Sequence, residues 1–319
     1  MDARIAISTI ILSLAGQGTV AAGEATGCVA TGDLDPIYCD RNGDLVADLP
    51  DDQERWRDPP TLVWAYAPIE DPAVYAELFK PFTEHLATCL NRQIVYYPVE
   101  SSAAEVKAMR SGRLHFAGFS TGSTIAAVNE AGAIPFAAKA VARKMRGYSL
   151  VALVRADSPY QHLSDLKGRR VAHATPMSNS GNLAPRALFP EQGLVPEIDY
   201  NPIMSGGHDR SILGVLNGDY DMAAVASDVL ERMQERDLIE RSQLRILYES
   251  QPFPTSSFAY AHDLEPQLAE DLKACFFDFA FPEQLQAEFN GDTNFVPIDF
   301  KTDWAVVRAV IERVGAMIE

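Results

Sequence analysis

The sequence predicts a two-lobed α/β protein, and three observations carry that expectation. From residue 62 onward, short apolar runs alternate with stretches of helical periodicity, the pattern of strands joined by crossover helices. Proline-bearing turns interrupt the alternation at Ser158-Pro159 and at Pro252-Phe253-Pro254, where the chain is expected to pass between lobes. With 319 residues, 47% of them hydrophobic, the chain can fill two cores. Each lobe is expected to hold a mostly parallel sheet covered by helices. The expected units are a signal peptide at 1–22, a Cys-containing acidic leader at 23–60, a first lobe from 61–154 plus 256–319, and a second lobe from 155–255.

Residues 5–15 form an apolar run broken by Ser8, Thr9 and Ser13, too short for the roughly 20 residues that cross a bilayer. Arg4 precedes it, and Val20, Ala21 and Ala22 offer small residues for cleavage, so export to the periplasm is expected. The bland alternative is an apolar N-terminal helix. Export makes disulfides available: Cys28 and Cys39 are expected to close a small loop, while Cys89 and Cys275 either pair or stay as buried thiols. In the leader, Asp40, Asn42, Asp44 and Asp48 surround Gly43 and suggest a Ca²⁺ site; the competing reading is an Asx-rich turn.

The body then reads in order. Residues 62–66 form a buried strand, and 74–90 a helix with Val74, Leu78, Phe82 and Leu86 on one face. A strand at 94–97, a helix at 102–111, a strand at 114–117, a helix at 121–130 and a strand at 148–154 follow. Beyond Gly168 the series resumes with strands at 170–174, 198–203, 221–225 and 244–248, and helices from 181, 208 and 226. The tail from Pro266 is helical, with apolar Leu268, Leu272, Phe276 and Phe279.

A net charge of −17 excludes a general nucleic-acid binder, which needs a basic footprint, but permits one pocket that opposes the global field. Three turns carry possible chemistry. Ser178-Asn179-Ser180-Gly181 lies between a strand and a helix, where unpartnered N–H groups, hydroxyls and the helix dipole favour an anion. Gly181 lets a ligand approach the backbone, and no lysine completes a P-loop. Ordinary N-capping by Ser178 or Ser180 is the plain alternative. The second turn, Ser205-Gly206-Gly207-His208, places His208 at another helix start, either as an oxyanion donor or as a structural histidine. The third, Gly118-Phe119-Ser120-Thr121-Gly122, matches the G-x-S-x-G elbow of hydrolases; Asp221 or Asp228 and His262 would complete a triad. Otherwise it is a further helix start facing a cleft.

Taken in order, these segments resemble the phosphonate/phosphite/phosphate substrate-binding proteins of ABC importers, over residues 60–319. Gly112-Arg113-Leu114-His115-Phe116-Ala117-Gly118, Arg146-Gly147-Tyr148-Ser149, Asp165-Leu166-Lys167-Gly168, Ser178-Asn179-Ser180-Gly181, Gly206-Gly207-His208-Asp209, Gly218-Asp219-Tyr220-Asp221 and Phe253-Pro254-Thr255-Ser256 carry the resemblance. It implies a type II periplasmic-binding fold and a monomer that captures a phosphorus oxyanion without reacting it and delivers it to a membrane permease. It needs no cofactor. A sensor subunit of the same fold is the rival role. The resemblance assigns Ser178, Asn179 and Ser180 to the phosphorus oxygens, His208 and Tyr148 to the same site, and Asp228 to a ligand substituent. Ser102, Ser120 and Thr121 would close over the ligand from the first lobe. Where the family has a second acidic residue this chain has Ser256, and where it has a tyrosine this chain has Ser102, which weakens the case for an aminoalkylphosphonate. Glu70 and Asp71 are candidates for a charge filter or a helix cap.

Overall fold

The strand–helix alternation folds into two mixed sheets, each with its own apolar core, in a computed structural model that describes residues 32–68 and 73–318. The first lobe runs β1 (Thr61–Tyr66), α1 (Ala73–Leu78), α2 (Lys80–Leu90), β2 (Gln93–Tyr96), α3 (Ser102–Arg110), β3 (Phe116–Phe119), α4 (Thr121–Ala131), β4 (Ala133–Val141) and β5 (Lys144–Met145). The single helix expected over 74–90 breaks at Phe79, where Pro81 takes a position that needs no N–H donor and restarts the helix. A two-residue strand, β6 (Gly147–Tyr148), then leads into the second lobe.

The second lobe runs β7 (Leu150–Arg155), β8 (Val171–His173), α5 (Ala184–Leu188), β9 (Pro202–Met204), α6 (His208–Asn217), β10 (Met222–Ala226), α7 (Ser227–Glu235) and β11 (Leu244–Glu249). The chain returns through β12 (Phe253–Pro254) to β13 (Ser257–Ala261), α8 (Pro266–Asp278), α9 (Glu283–Glu288), β14 (Asn294–Pro297), α10 (Phe300–Asp303) and α11 (Ala305–Ile318).

The first sheet has the order β14-β4-β13-β3-β1-β2, and the second β11-β7-β10-β8-β9. Among the described strands of the two sheets, β1–β2, β1–β3, β8–β9 and β8–β10 pair in parallel, and the pairs made by β13, β14, β7 with β10 and β11, and β4 with β5 are antiparallel. Both sheets are therefore mixed rather than mostly parallel. One expected boundary moves. The run Leu150–Arg155, assigned by sequence to the first lobe, is the buried strand between β10 and β11 of the second, where a run that is apolar on both faces belongs. The lobes are joined by the β6–β12 ladder, Tyr148 opposite Phe253 and Gly147 opposite Pro254, so the first crossing precedes Ser158-Pro159. The C-terminal residues Phe300, Trp304, Val307 and Val310 also leave the first lobe and pack with Leu150, Ala184 and Met222 of the second.

The first core is aromatic: Trp64, Phe82, Phe116, Phe258 and Phe276 are fully buried and meet mostly edge to face. Cys89 of α2 and Cys275 of α8 form a disulfide across it, with Cα atoms 5.9 Å apart. Cys39 is disulfide-bonded too; its expected partner Cys28, the expected signal peptide, and Glu70 and Asp71 lie outside the described residues. In the leader, the Asp40 carboxylate accepts the backbone N–H groups of Gly43, Asp44 and Leu45, and Asp48 pairs with Arg41 at 2.9 Å. Those oxygens close an Asx-type turn, and among the described residues no group of three or more His, Cys, Asp or Glu side chains is gathered as for a metal ion. No helix among the described residues is long and apolar enough to cross a membrane.

Candidate functional site

The carboxyl ends of β8, β9 and β10 open toward the first lobe, the usual place for a ligand in open α/β sheets. Ser178 and Asn179 follow β8, His208 follows β9, and Asp228 follows β10. Ser120 and Thr121 come from the carboxyl end of β3, and Tyr148 from the ladder between the lobes. All seven line one narrow cavity of ≈ 30 Å³. By the size needed for a buried water, that is room for about two.

The turn after β8 is built as a cradle. Residues Asn179–Leu183 form a π-helix, whose widened turn is a frequent feature of functional sites. Ser178 caps it, and its Oγ accepts the Gly181 N–H at 3.0 Å. The same Oγ lies 3.0 Å from His208 Nε2, while His208 Nδ1 accepts the Ala226 N–H at 3.2 Å. The acceptor role of Nδ1 leaves the ring proton on Nε2, which donates to Ser178. With both acceptor positions filled, the Ser178 hydroxyl turns its own proton outward. His208 thus orients the Ser178 hydroxyl.

Ser180 is 1% exposed, and its Oγ has no hydrogen-bond partner. Asn179 donates to the Tyr148 hydroxyl at 3.4 Å, and its amide oxygen is also buried without a partner. Unpaired buried polar atoms are costly, and their concentration on one turn makes that turn a candidate place for a ligand to supply the missing bonds. Glycine at 181 is required by space. A Cβ there would lie 2.5 Å from Ala174 Cβ, 2.7 Å from Ser178 Oγ and 2.9 Å from His208 Cε1.

Behind the turn sits a buried bracket. Asn182 Nδ2 donates to the Pro176 carbonyl at 2.7 Å, and its Oδ1 accepts from Arg186 and from His173 Nδ1 at 2.9 Å. The far nitrogen of His173 meets the Tyr200 hydroxyl at 2.9 Å. Burial lowers the His173 pKa to about 4, so the ring is neutral. Burial likewise pushes the Tyr148 hydroxyl up to about 12, keeping it a neutral donor.

The other sequence candidates divide. Desolvation works upward on the Asp228 carboxyl, but the Arg232 guanidinium 3.2 Å away, joined by more distant positive groups including Lys139, more than offsets it, and the carboxyl lies below its ordinary range. Ser102 is the first residue of α3, next to the capping Ser101, and does not line the cavity between the lobes. Ser120 caps α4 with φ −62° and ψ 160°, ordinary extended backbone rather than a strained elbow. His262 bonds Gly132 at the opposite end of α4, and Asp221 pairs with Arg170 at the far end of β10, so neither reaches Ser120. Asp228, the other triad candidate, is engaged by Arg232. The triad does not form.

Three cleft residues escaped the sequence reading. Thr255 lines the cavity from the returning chain, next to Ser256. Lys139 donates to the Tyr66 hydroxyl at 2.7 Å, and Tyr66 reaches Ser256 Oγ at 3.5 Å. The one available signal for Lys139 was a charge inside the apolar run Ala133–Val141.

Residues 64–304 match the family described as the periplasmic substrate-binding protein of phosphonate ABC transporters. The chain belongs to this family. Among curated members of the phosphonate-binding family, the phosphate-import protein PhnD of Mycolicibacterium smegmatis is 27% identical over 260 residues, 78% of this chain and 81% of that protein. The phosphonates-binding periplasmic protein of Escherichia coli is 24% identical over 62% of this chain and 59% of its own length. In fold, the chain is similar to PhnD1 of Prochlorococcus marinus, solved with methylphosphonate, at a TM-score of 0.71 and 20% identity, covering 81% of this chain and 99% of the other. A phosphonate-transporter binding protein from Pseudomonas aeruginosa gives 0.72 at 18% identity, covering 82% and 90%. These likenesses establish the type II periplasmic-binding fold of the phosphonate-binding family for this chain.

Proposed function

We propose that the chain is exported to the periplasm and binds a small phosphorus oxyanion (phosphite, phosphate or a small phosphonate) between its lobes, for delivery to an ABC permease. The observation that carries this reading is the cradle itself: Ser180 Oγ buried without a partner, beside a Ser178 hydroxyl that His208 and Gly181 turn outward. Each charge-assisted bond from such a donor is worth about 1.5–3 kcal/mol. The first lobe supplies Ser120 and Thr121, and Tyr148 donates from the seam. Closure of the lobes on the ligand would exclude water and strengthen every bond. The role is capture without reaction, consistent with the separation of Ser120 from His262.

A melting-shift panel of phosphite, phosphate, methylphosphonate and sulfate tests this. Ligand at a hundredfold its Kd stabilises a protein by about 2.7 kcal/mol, several degrees here. At least one phosphorus compound is expected to give that shift, and Ser178→Ala with Ser180→Ala to abolish it. Indifference to every compound, or an undiminished shift in the double variant, rejects the reading.

A further inference from the structure

We propose that the loop between α9 and β14, with Asn290 at its centre, is a latch between the lobes: it holds the cleft closed and sets how long the ligand stays. This rests on the phosphorus-oxyanion reading above and names what governs release from the same cleft. The loop is fixed to the first core by Leu285, Phe289 and Phe295 on either side of Asn290. Arg232 lies on α7, whose Val229, Leu230 and Met233 pack in the second core. Between them, the Arg232 guanidinium donates to Asn290 Oδ1 at 2.9 Å, and Asn290 Nδ2 donates to the Asp228 carbonyl at 3.3 Å. One turn further along α7, Arg236 pairs with Glu288 at the end of α9. Each of these bonds crosses from one lobe to the other.

The latch begins at the ligand cavity. Asp228 lines that cavity, and its carboxylate accepts from Arg232 at 3.2 Å, so one guanidinium spans from a cleft carboxylate to Asn290. Arg232 is only 7% exposed, and a hydrogen bond to a charge shielded from water is among the stronger ones. Opening the lobes parts α7 from α9 and breaks these bonds. A bond made only in the closed state stabilises that state and slows release; it does not act on the ligand's first encounter with the open cleft. Asn290 itself has a φ of 50°, in the left-handed region that Asn tolerates and Gly enters freely. Its side chain can therefore be removed by glycine with the turn retained, so Asn290 acts as a positioning residue whose role is separable from the fold.

Stopped-flow kinetics of the full chain with phosphite, phosphate and methylphosphonate, beside melting curves with and without ligand, test the latch. For whichever compound binds, Asn290→Gly is expected to raise the dissociation rate about fivefold to tenfold. Association is expected to stay within about twofold of the wild type, and the ligand-free melting temperature to stay where it was. Glu288→Gln, which removes the second interlobe pair, is expected to speed dissociation by about twofold and decides the question if the glycine variant does not fold. An unchanged dissociation rate overturns the proposal. So does a loss of affinity carried by slower association, or a ligand-free melting temperature that falls as far as the ligand-bound one, since either marks a role in folding rather than in closure. Binding by the wild type with no kinetic effect of the variants removes the latch and leaves the oxyanion reading standing. Binding of no phosphorus compound by the wild type removes both.

Discussion

Gly181 shows how little freedom the cradle has. Because an added methyl would press on Ser178 Oγ and His208 at once, Gly181→Ala is expected to weaken phosphite or phosphonate binding by tenfold or more, about 1.4 kcal/mol, with a lower melting temperature. Titration and a thermal scan check this. Two buried groups set opposing pH dependences. His173 is neutral in the fold with its pKa lowered to about 4, so the folded state binds fewer protons than the unfolded chain. Its contribution is present above pH 6.5 and is lost as pH falls toward 4, by up to about 3 kcal/mol. Glu105 of α3 is fully buried with both carboxylate oxygens unpartnered, and desolvation raises its pKa well above 4.5. There the folded state binds more protons, so stability falls as pH rises beyond 4.5. Glu105→Met is expected to be more stable at neutral pH and to lose that decline, read by urea denaturation at pH 5 and 8. His173→Gln is expected to flatten the acid limb. Ser178 and Ser180 were legible in the sequence because hydroxyls crowded a helix start. The way His208 works was not, since the N–H that fixes its tautomer comes from Ala226, 18 residues away.

Among the elements, the disulfide between α2 and α8 ties together segments 186 residues apart. Its loss in a Cys89→Ala, Cys275→Ala double variant is expected to cost about 2–5 kcal/mol, seen as an earlier denaturation midpoint. The parallel units β1–β3 and β8–β10 could be read from apolar runs alternating with helical periods. The returning strands could not. β4 and β5 meet at Ala142-Arg143, where both residues have positive φ, the geometry that Asn-Gly usually announces. With Ala-Arg there, the hairpin left no local signal, and Lys139 on β4 was hidden with it. β13 is five residues long, and its place between β3 and β4 depends on long-range pairing. Leu150–Arg155 was correctly seen as a strand, but its sheet is decided by the antiparallel partners β10 and β11.

For the whole molecule, a net charge of −17 would repel an anion at long range, so affinity must come from donors packed within the cleft. Added salt is accordingly expected to screen that repulsion and speed phosphite association, measured by stopped flow, with a much smaller change in dissociation. The seam between lobes is more than the β6–β12 ladder. A Cβ on Gly122 of α4 would lie 2.2 Å from the Met177 carbonyl, so the two lobes touch there through bare backbone. Trp304 belongs to the second lobe's core, yet its indole N–H donates at 3.1 Å to the carbonyl of Thr121 in the first. The other two tryptophans sit elsewhere: Trp64 in the first core, and Trp56 against Pro50 in the leader. Trp304 is therefore a built-in optical gauge. Saturation with ligand is expected to shift its ultraviolet emission, and Trp304→Phe to silence that change, so lobe movement can be followed in unlabelled protein.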